Sequence, residues 1–409
     1  MTIMRPILAA ALLLVAEAAP AAELQLGPRA ELRHPGAGHE VHMSGVALAA
    51  APEGGALVAW AAQDGPVNHL WVARLGAGEA VPQRVNPGEL TVEALHHPPR
   101  LAVTRTGEVY LSWSSDRPKP AGTLFASDLR LSRSLDGGRT FTGHLRVNED
   151  RPISHSFDGL AVAGDGTVIV GWIDGREGRP DPATYVARVV EQGTRVAGVA
   201  KVGDNTCVCC RVDAATGPGD AVALLWRRVF PGDVRDMVLA LSRDGGRSFG
   251  APALVHADGW KIAGCPHRGG AVGLDAGGRA YATWYTEGAE GKPDLLFAVS
   301  TDGRRFGPPR RLHTAGASIP DHARMAVAPD GRAVIAWEDS TAVRRRILLR
   351  YTADAGRTLS PTQTLSKAIK AWEPDVVVGP DGQFLVAWQE EQFPSVKTVV
   401  QTIRVGAAR

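Results

Sequence analysis

Apolar residues in this chain fall into short runs of five to eight, split by glycine-bearing turns, and a tryptophan closes every second run. Met325–Trp337 and Val376–Trp388 show the phrase: an apolar strand, an Asp-Gly turn, then a second apolar strand ending in Trp. Asp-Gly between two such runs is a strong hairpin signal. A third strand follows, as in Asp236–Leu241 and Arg346–Tyr351, and then a short fourth. Trp60, Trp113, Trp172, Trp226, Trp284, Trp337 and Trp388 recur at intervals of roughly fifty residues, the period of propeller blades. Four antiparallel strands repeated radially make an all-β propeller, here with seven blades and with six as the alternative. The last unit stops after its third strand near Val405, so the segment Glu23–Leu32 is expected to supply the missing outer strand and close the ring. Long helices are absent from this reading.

The first 22 residues break the pattern. One positive charge at Arg5, an apolar run from Ile7 to Ala16 and a small-residue end at Ala21 and Ala22 predict a secretory signal peptide. The apolar run is shorter than the roughly 20 residues that span a bilayer. The expected organisation is therefore a signal peptide at 1–22 and one propeller domain at 23–409, exported to the periplasm or beyond the cell. With 45 Lys and Arg against 43 Asp and Glu, charge does not point to nucleic acid or a membrane surface as partner.

The turn after the third strand carries a family resemblance. Ser134–Phe141 and Ser242–Phe249 resemble Asp boxes, Ser-x-Asp-x-Gly-x-Thr-aromatic hairpins; Thr352–Leu359 is a degenerate copy and Ser300–Phe306 is one residue short. With the repeat, they make the mature chain similar to the sialidase-like superfamily. That resemblance implies a glycoside hydrolase in which three arginines grip a carboxylate, a Tyr–Glu pair is the nucleophile and an Asp is the acid/base. The chain departs from it by its extra blade and by lacking the Phe/Tyr-Arg-Ile-Pro phrase of the first arginine. Arg100, Arg211, Arg268 and Arg324 stand near the starts of innermost strands. On the hydrolase reading Arg100, Arg268 and Arg324 form the clamp, since guanidinium grips carboxylate in bidentate fashion. Tyr285 stands two residues before Glu287. Glu40, Asp158, Asp321, Glu373 and Asp375 are carboxylates near the funnel that could include a glycosidase pair.

A second constellation lies in the segment leading into each first strand. His39 and His42, His96 and His97, His155, Cys207, Cys209 and Cys210, Cys265 and His267, and His322 all fall there. Seven of 12 histidines and all 4 cysteines thus share one repeat position. Repeat symmetry would set them around one mouth of the channel. Imidazole and thiolate suit copper, zinc or iron. A histidine ring at a propeller mouth is similar in layout, though not in sequence, to the copper domain of nitrous oxide reductase, which favours copper. His96, His97, His155, Cys207, Cys209, Cys210, Cys265, His267 and His322 are the expected metal ligands, a subset binding at once. Cys207-Val-Cys209-Cys210 with Cys265-Pro266-His267 resembles a bacterial exported branch of sialidase-like propellers. The competing expectation is two disulfides, as an oxidising compartment and an even cysteine count favour. Cys265 would pair within the triplet, and the other two would join as Cys207–Cys210 or Cys209–Cys210.

Three functions therefore stand open: a funnel that binds a transition metal or small ligand, a sialidase-like hydrolase acting on a glycan, and a non-catalytic scaffold. No Gly-x-Ser-x-Gly elbow, Walker loop, His-Glu-x-x-His helix or dinucleotide fingerprint is present.

Overall fold

The computed structural model describes residues 23–406 apart from 35–42, 52, 77–79, 94–96, 179–181, 314–315, 317 and 393–394. The expected signal peptide, His39, Glu40, His42 and His96 lie outside the described residues. Seven four-stranded antiparallel sheets stand around a central channel. First strands of neighbouring blades touch all the way round, from Ala47–Ala50 in blade 1 to Ala371–Val378 in blade 7. The only helix among the described residues is the short 3-10 turn Gly175–Glu177, and no helix there is long and apolar enough to cross a membrane.

The tryptophans explain why the blades form and how they stack. Second strands such as Val168–Asp174 and Ala280–Thr286 are buried along their whole length, because blades cover both of their faces. Seven apolar clusters fill the gaps between neighbouring blades, and each holds one repeat tryptophan, at most 1% exposed. Each tryptophan packs against the preceding blade: Trp226 of blade 4 lies against Ile169 and Val186 of blade 3. Side chains alternate across a strand, so the residue after each tryptophan points the other way. Those seven residues are Ala61, Ser114, Ile173, Arg227, Tyr285, Glu338 and Gln389, and several return in the site.

Ring closure follows the sequence expectation. Leu24–Arg33 pairs antiparallel with the third strand of blade 7, Ser395–Val405, in a register running from Leu24 opposite Val405 to Arg33 opposite Lys397. Leu32, 3% exposed, drops into the cluster between blades 7 and 1. Leu24–Arg33 and the C-terminal strands thereby hold one sheet together, and the third strand of blade 7 is not left as an outer edge.

The Ser/Thr-x-Asp phrases fold as tight turns on the outside. Asp136 accepts hydrogen bonds from the Arg139 and Thr140 amides at 2.9 Å and from the Thr140 and Ser134 hydroxyls at 2.6 Å. Asp244 and Asp354 repeat the arrangement with Ser248 and Thr358. These bonds hold the Asp136 and Asp244 carboxyls far below the usual carboxylate range. The turns stay away from the channel, and their work is structural.

Because Leu32 stitches the ring, Leu32→Ala should lower the unfolding free energy by about 2–5 kcal/mol, measured by denaturant titration. Deleting residues 23–33 should lower the melting temperature further than that single change.

Candidate functional site

Seven first strands converge at one mouth of the channel, and each blade contributes to its lining: Gly45, Pro98, Phe157, Arg211, His267, His322 and Glu373, in blade order. The cavity there has a volume of about 430 Å³ and is also lined by Cys209, Arg268, Tyr285 and Arg324. The opposite mouth is a wider hollow of about 880 Å³, walled by hairpin turns such as Ala163–Thr167 and Thr216–Pro218.

A shared backbone device aims the lining. In blades 3, 6 and 7 the first strand bulges just before the residue opposite the position preceding Trp: between Ser156 and Gly159, Asp321 and Arg324, and Trp372 and Asp375. Each bulge carries a residue at positive φ: Phe157 at 56°, His322 at 46° and Glu373 at 46°. His267 in blade 5 has φ 55°. Such backbone is costly for large side chains and bulges re-aim them, so four lining residues owe their direction to it. The segment bearing Arg211, just ahead of the strand Asp213–Thr216, is hemmed by glycines on both sides. A Cβ on Gly159 would lie 2.8 Å from Val212 O, and one on Gly269 would lie 2.6 Å from Arg211 O. Only glycine permits that approach.

Electrostatically, the floor gathers three arginines among the carboxylates of Asp158, Asp213, Asp375 and Glu373. Arg100 and Arg211 are each 8% exposed. Arg211 Nη1 donates to Pro98 O at 3.1 Å, and Arg100 Nε donates to Asp158 O at 3.4 Å. Arg100 Nη2 is buried without a hydrogen bond, 3.9 Å from the Asp213 carboxylate. Arg324 makes no side-chain hydrogen bond or ion pair among the described residues. Burial, then the charge of Arg100, brings the Arg324 pKa down to about 10. The Arg211 pKa is pushed well down by burial, with Arg100 and Arg324 adding to the push. Burial raises the Asp375 carboxyl although Arg324 and Arg100 oppose it. The carboxylates offset part of the repulsion among the arginines.

One wall carries a tyrosine and its carboxylate. Tyr285 Oη donates to Glu287 at 2.6 Å. Burial and that bond push the phenol pKa up. Arg268 lies over the Tyr285 ring at 4.1 Å and pairs with Asp321 at 2.9 Å, with Glu287 at 3.7 Å. Behind them Arg227, fully buried, donates to the carbonyls of Arg268, Tyr285 and Arg235. It pins blade 4 to blade 5. In the neighbouring blade 6, His322 bonds Glu338 at 3.2 Å. Burial opposes its charge, but Asp321, Glu338 and Glu373 outweigh that and push its pKa up to about 9.

The sulfurs gather between blades 4 and 5. Cys209 and Cys265 form a disulfide, one of the pairings expected for Cys265. Cys207 and Cys210 are buried free thiols with sulfurs 3.1 Å apart. The hydrogen bond from Cys210, aided by Arg235 and Arg227, pulls the Cys207 thiol down to about 6, and burial raises Cys210. Ligand atoms of Cys207, Cys209 and Cys210, and of Cys209, Cys265 and His267, lie within 4.8 Å of one another.

Five of the nine expected metal ligands therefore come together. Among the described residues, no such grouping includes His97, His155 or His322. His155 is paired in register with Asp174 and its Nδ1 meets Ser127 O at 2.7 Å, so it is fixed inside the seam of blades 2 and 3. His97 meets Glu93 at 3.2 Å. Of the expected clamp, Arg268 and Arg324 line the cavity and Arg100 lies beneath it. Arg211 belongs with them. Sequence reasoning left Arg227 and Glu338 unnamed and gave Tyr285 no role, although all three follow a repeat tryptophan, a position that holds small or apolar residues in blades 1 to 3.

No family model matches the chain, and no curated protein matches it in sequence. Solved structures match in fold. A Dyadobacter fermentans protein of unknown function superposes with TM-score 0.56 at 12% identity over 93% of this chain and 99% of its own. An ulvan lyase bound to -[GlcA(1-4)Rha3S]- gives 0.55 at 11% identity over 93% and 96%. A Hadza microbial sialidase gives 0.51 at 15% identity over 85% and 74%. The seven-bladed propeller is thus similar in fold to sialidases and polysaccharide lyases.

The charge of His322 is open to direct test. Its pKa is raised from 6.5 to about 9, so its ion pair contributes stability fully below pH 6.5 and loses it as pH rises through 9. NMR titration of the imidazole should show that raised value in the native protein, and Glu338→Gln should lower it.

Proposed function

We propose that the protein binds a carboxylate-bearing sugar in the funnel and hydrolyses its glycosidic bond. The observation that carries this reading is the floor of the cavity, where Arg324, unpaired among the described residues, stands with the buried Arg211 and Arg100. A planar carboxylate is the ligand that guanidinium forks hold best, in two parallel hydrogen bonds. It would also offset the burial and, after it, the repulsion that lower the Arg211 and Arg324 pKa values. Fold similarity to enzymes of acidic glycans agrees with this reading, although fold alone assigns no activity.

Tyr285 is the nucleophile of the proposed reaction. A phenol whose pKa is raised does not ionise ahead of the reaction, so its proton passes to Glu287 as Oη bonds the anomeric carbon. A neutral phenol reaching the transition state suits an anionic sugar, since a standing phenolate on the attacking oxygen would be repelled by the substrate carboxylate. Arg268, stacked on the ring, stabilises the charge that develops on the oxygen. His322, protonated at neutral pH, gives its proton to the departing oxygen as the old bond breaks. Water then attacks the glycosyl-tyrosine, losing its proton to the now neutral His322. Tyr285 leaves and recovers its proton from Glu287. Enzyme and protons return to the start.

A panel of fluorogenic sialosides, uronosides and neutral glycosides tests this. Acidic members should be hydrolysed and neutral ones spared, with the rate falling above pH about 9 as His322 loses its proton. Tyr285→Phe should lower kcat by roughly 100-fold or more. Arg324→Ala should act mainly on KM. An unsaturated uronate product from a polymer would replace hydrolysis by β-elimination and overturn the nucleophile assignment. No turnover and no binding of any acidic sugar would overturn the whole reading.

A further inference from the structure

Beside the sugar site, and sharing Cys209 and His267 with its lining, stands a cluster the proposed hydrolysis does not use. Cys207, Cys209 and Cys210 come from the loop entering blade 4, and Cys265 with His267 from the loop entering blade 5. Their ligand atoms form two groups, each within 4.8 Å, that share Cys209. The Cys207 and Cys210 sulfurs are 3.1 Å apart and buried, and Arg235 Nη1 lies 3.2 Å from Cys207 Sγ. Cys209 and His267 face the funnel, which gives an ion a path from solvent.

We infer that this cluster is a cuprous ion site that opens when the Cys209–Cys265 disulfide is reduced. Four sulfurs and one imidazole nitrogen make a soft donor set, which selects Cu(I) over hard cations. Two features speak for the site over an inert disulfide staple. A staple needs one pair of cysteines, whereas here two more are held against it in a buried pocket. The pocket also places an arginine beside one of those sulfurs, and that cation compensates the negative charge thiolates bring when they bind a monovalent ion. In the oxidised state Cys209 and Cys265 spend their sulfur valence on each other. A dithiol reductant breaks that bond, supplying two electrons and two protons and leaving as its own disulfide. Cu(I) then displaces protons from the thiols it binds. Copper stays Cu(I) throughout.

The test titrates the full chain with Cu(I) under anaerobic conditions against a chromophoric Cu(I) chelator, before and after dithiol treatment. The reduced protein should withdraw stoichiometric copper, and the oxidised protein roughly tenfold less or lower still. Cys209→Ser should abolish retention. His267→Ala, at an exposed position whose loss leaves the core intact, should weaken it by roughly tenfold or more. Circular dichroism and melting curves show that each variant is folded. A folded, reduced wild type that holds no more Cu(I) than Cys209→Ser would overturn the inference, and so would retention of zinc with none of copper. Neither result bears on sugar hydrolysis, which is read separately.

Discussion

Positive charges do not assemble in a protein interior unless the backbone forces them together. Here the ring does so. Seven first strands crowd around one axis, and the side chains at their leading ends meet whatever their sign. Arg100, Arg211 and Arg324 arrive from blades 2, 4 and 6; Arg100 raises the cost of charge on the other two, and Asp158, Asp213, Asp375 and Glu373 offset part of it. Seven interblade cores with a tryptophan apiece, and closure by the N-terminal strand, hold the ring against that repulsion. The stability stored in the apolar seams holds these buried charges together at the mouth, and on the proposed reading an anionic ligand would offset the arginines.

The same geometry explains the uneven chemistry around the rim. Bulges in blades 3, 6 and 7 turn Phe157, His322 and Glu373 into the channel, while glycines beside Arg211 let that segment sit closer than side chains would allow. Blades 4 and 5 differ from the rest, because Arg227 occupies a position where other blades carry smaller or uncharged groups or Glu338. Its bonds to the Arg268 and Tyr285 carbonyls tie the tyrosine wall to the sulfur cluster across one seam. Chemistry is thus concentrated on one side of the ring, although the architecture is close to sevenfold.

Architecture was legible in the chain because a propeller is written as a period. Tryptophans every fifty residues, Asp-Gly hairpins and a missing fourth strand at the C-terminus led to seven blades closed by Glu23–Leu32, and the structure has them. The site was less legible. Shared position in the repeat correctly gathered Cys207, Cys209, Cys210, Cys265 and His267, since adjacent loops do meet. It did not separate them from His155, whose place inside a seam depends on strand register, or from His322, whose partner Glu338 lies sixteen residues on. Alternation along the second strand held the stronger signal. Once each tryptophan is known to face the preceding blade, Arg227, Tyr285 and Glu338 must point the opposite way. Bulges and close glycines left no trace, because both arise from how strands from distant parts of the chain are packed.

The central claim is that the arginine floor is a carboxylate seat. Calorimetric titration with free N-acetylneuraminic acid and glucuronic acid, each beside its methyl ester, addresses it without requiring turnover. At least one free acid should bind, its ester should bind far more weakly, and Arg324→Leu should remove the difference between them. An ester that binds as tightly as its acid, or no binding by either acid, would contradict the account.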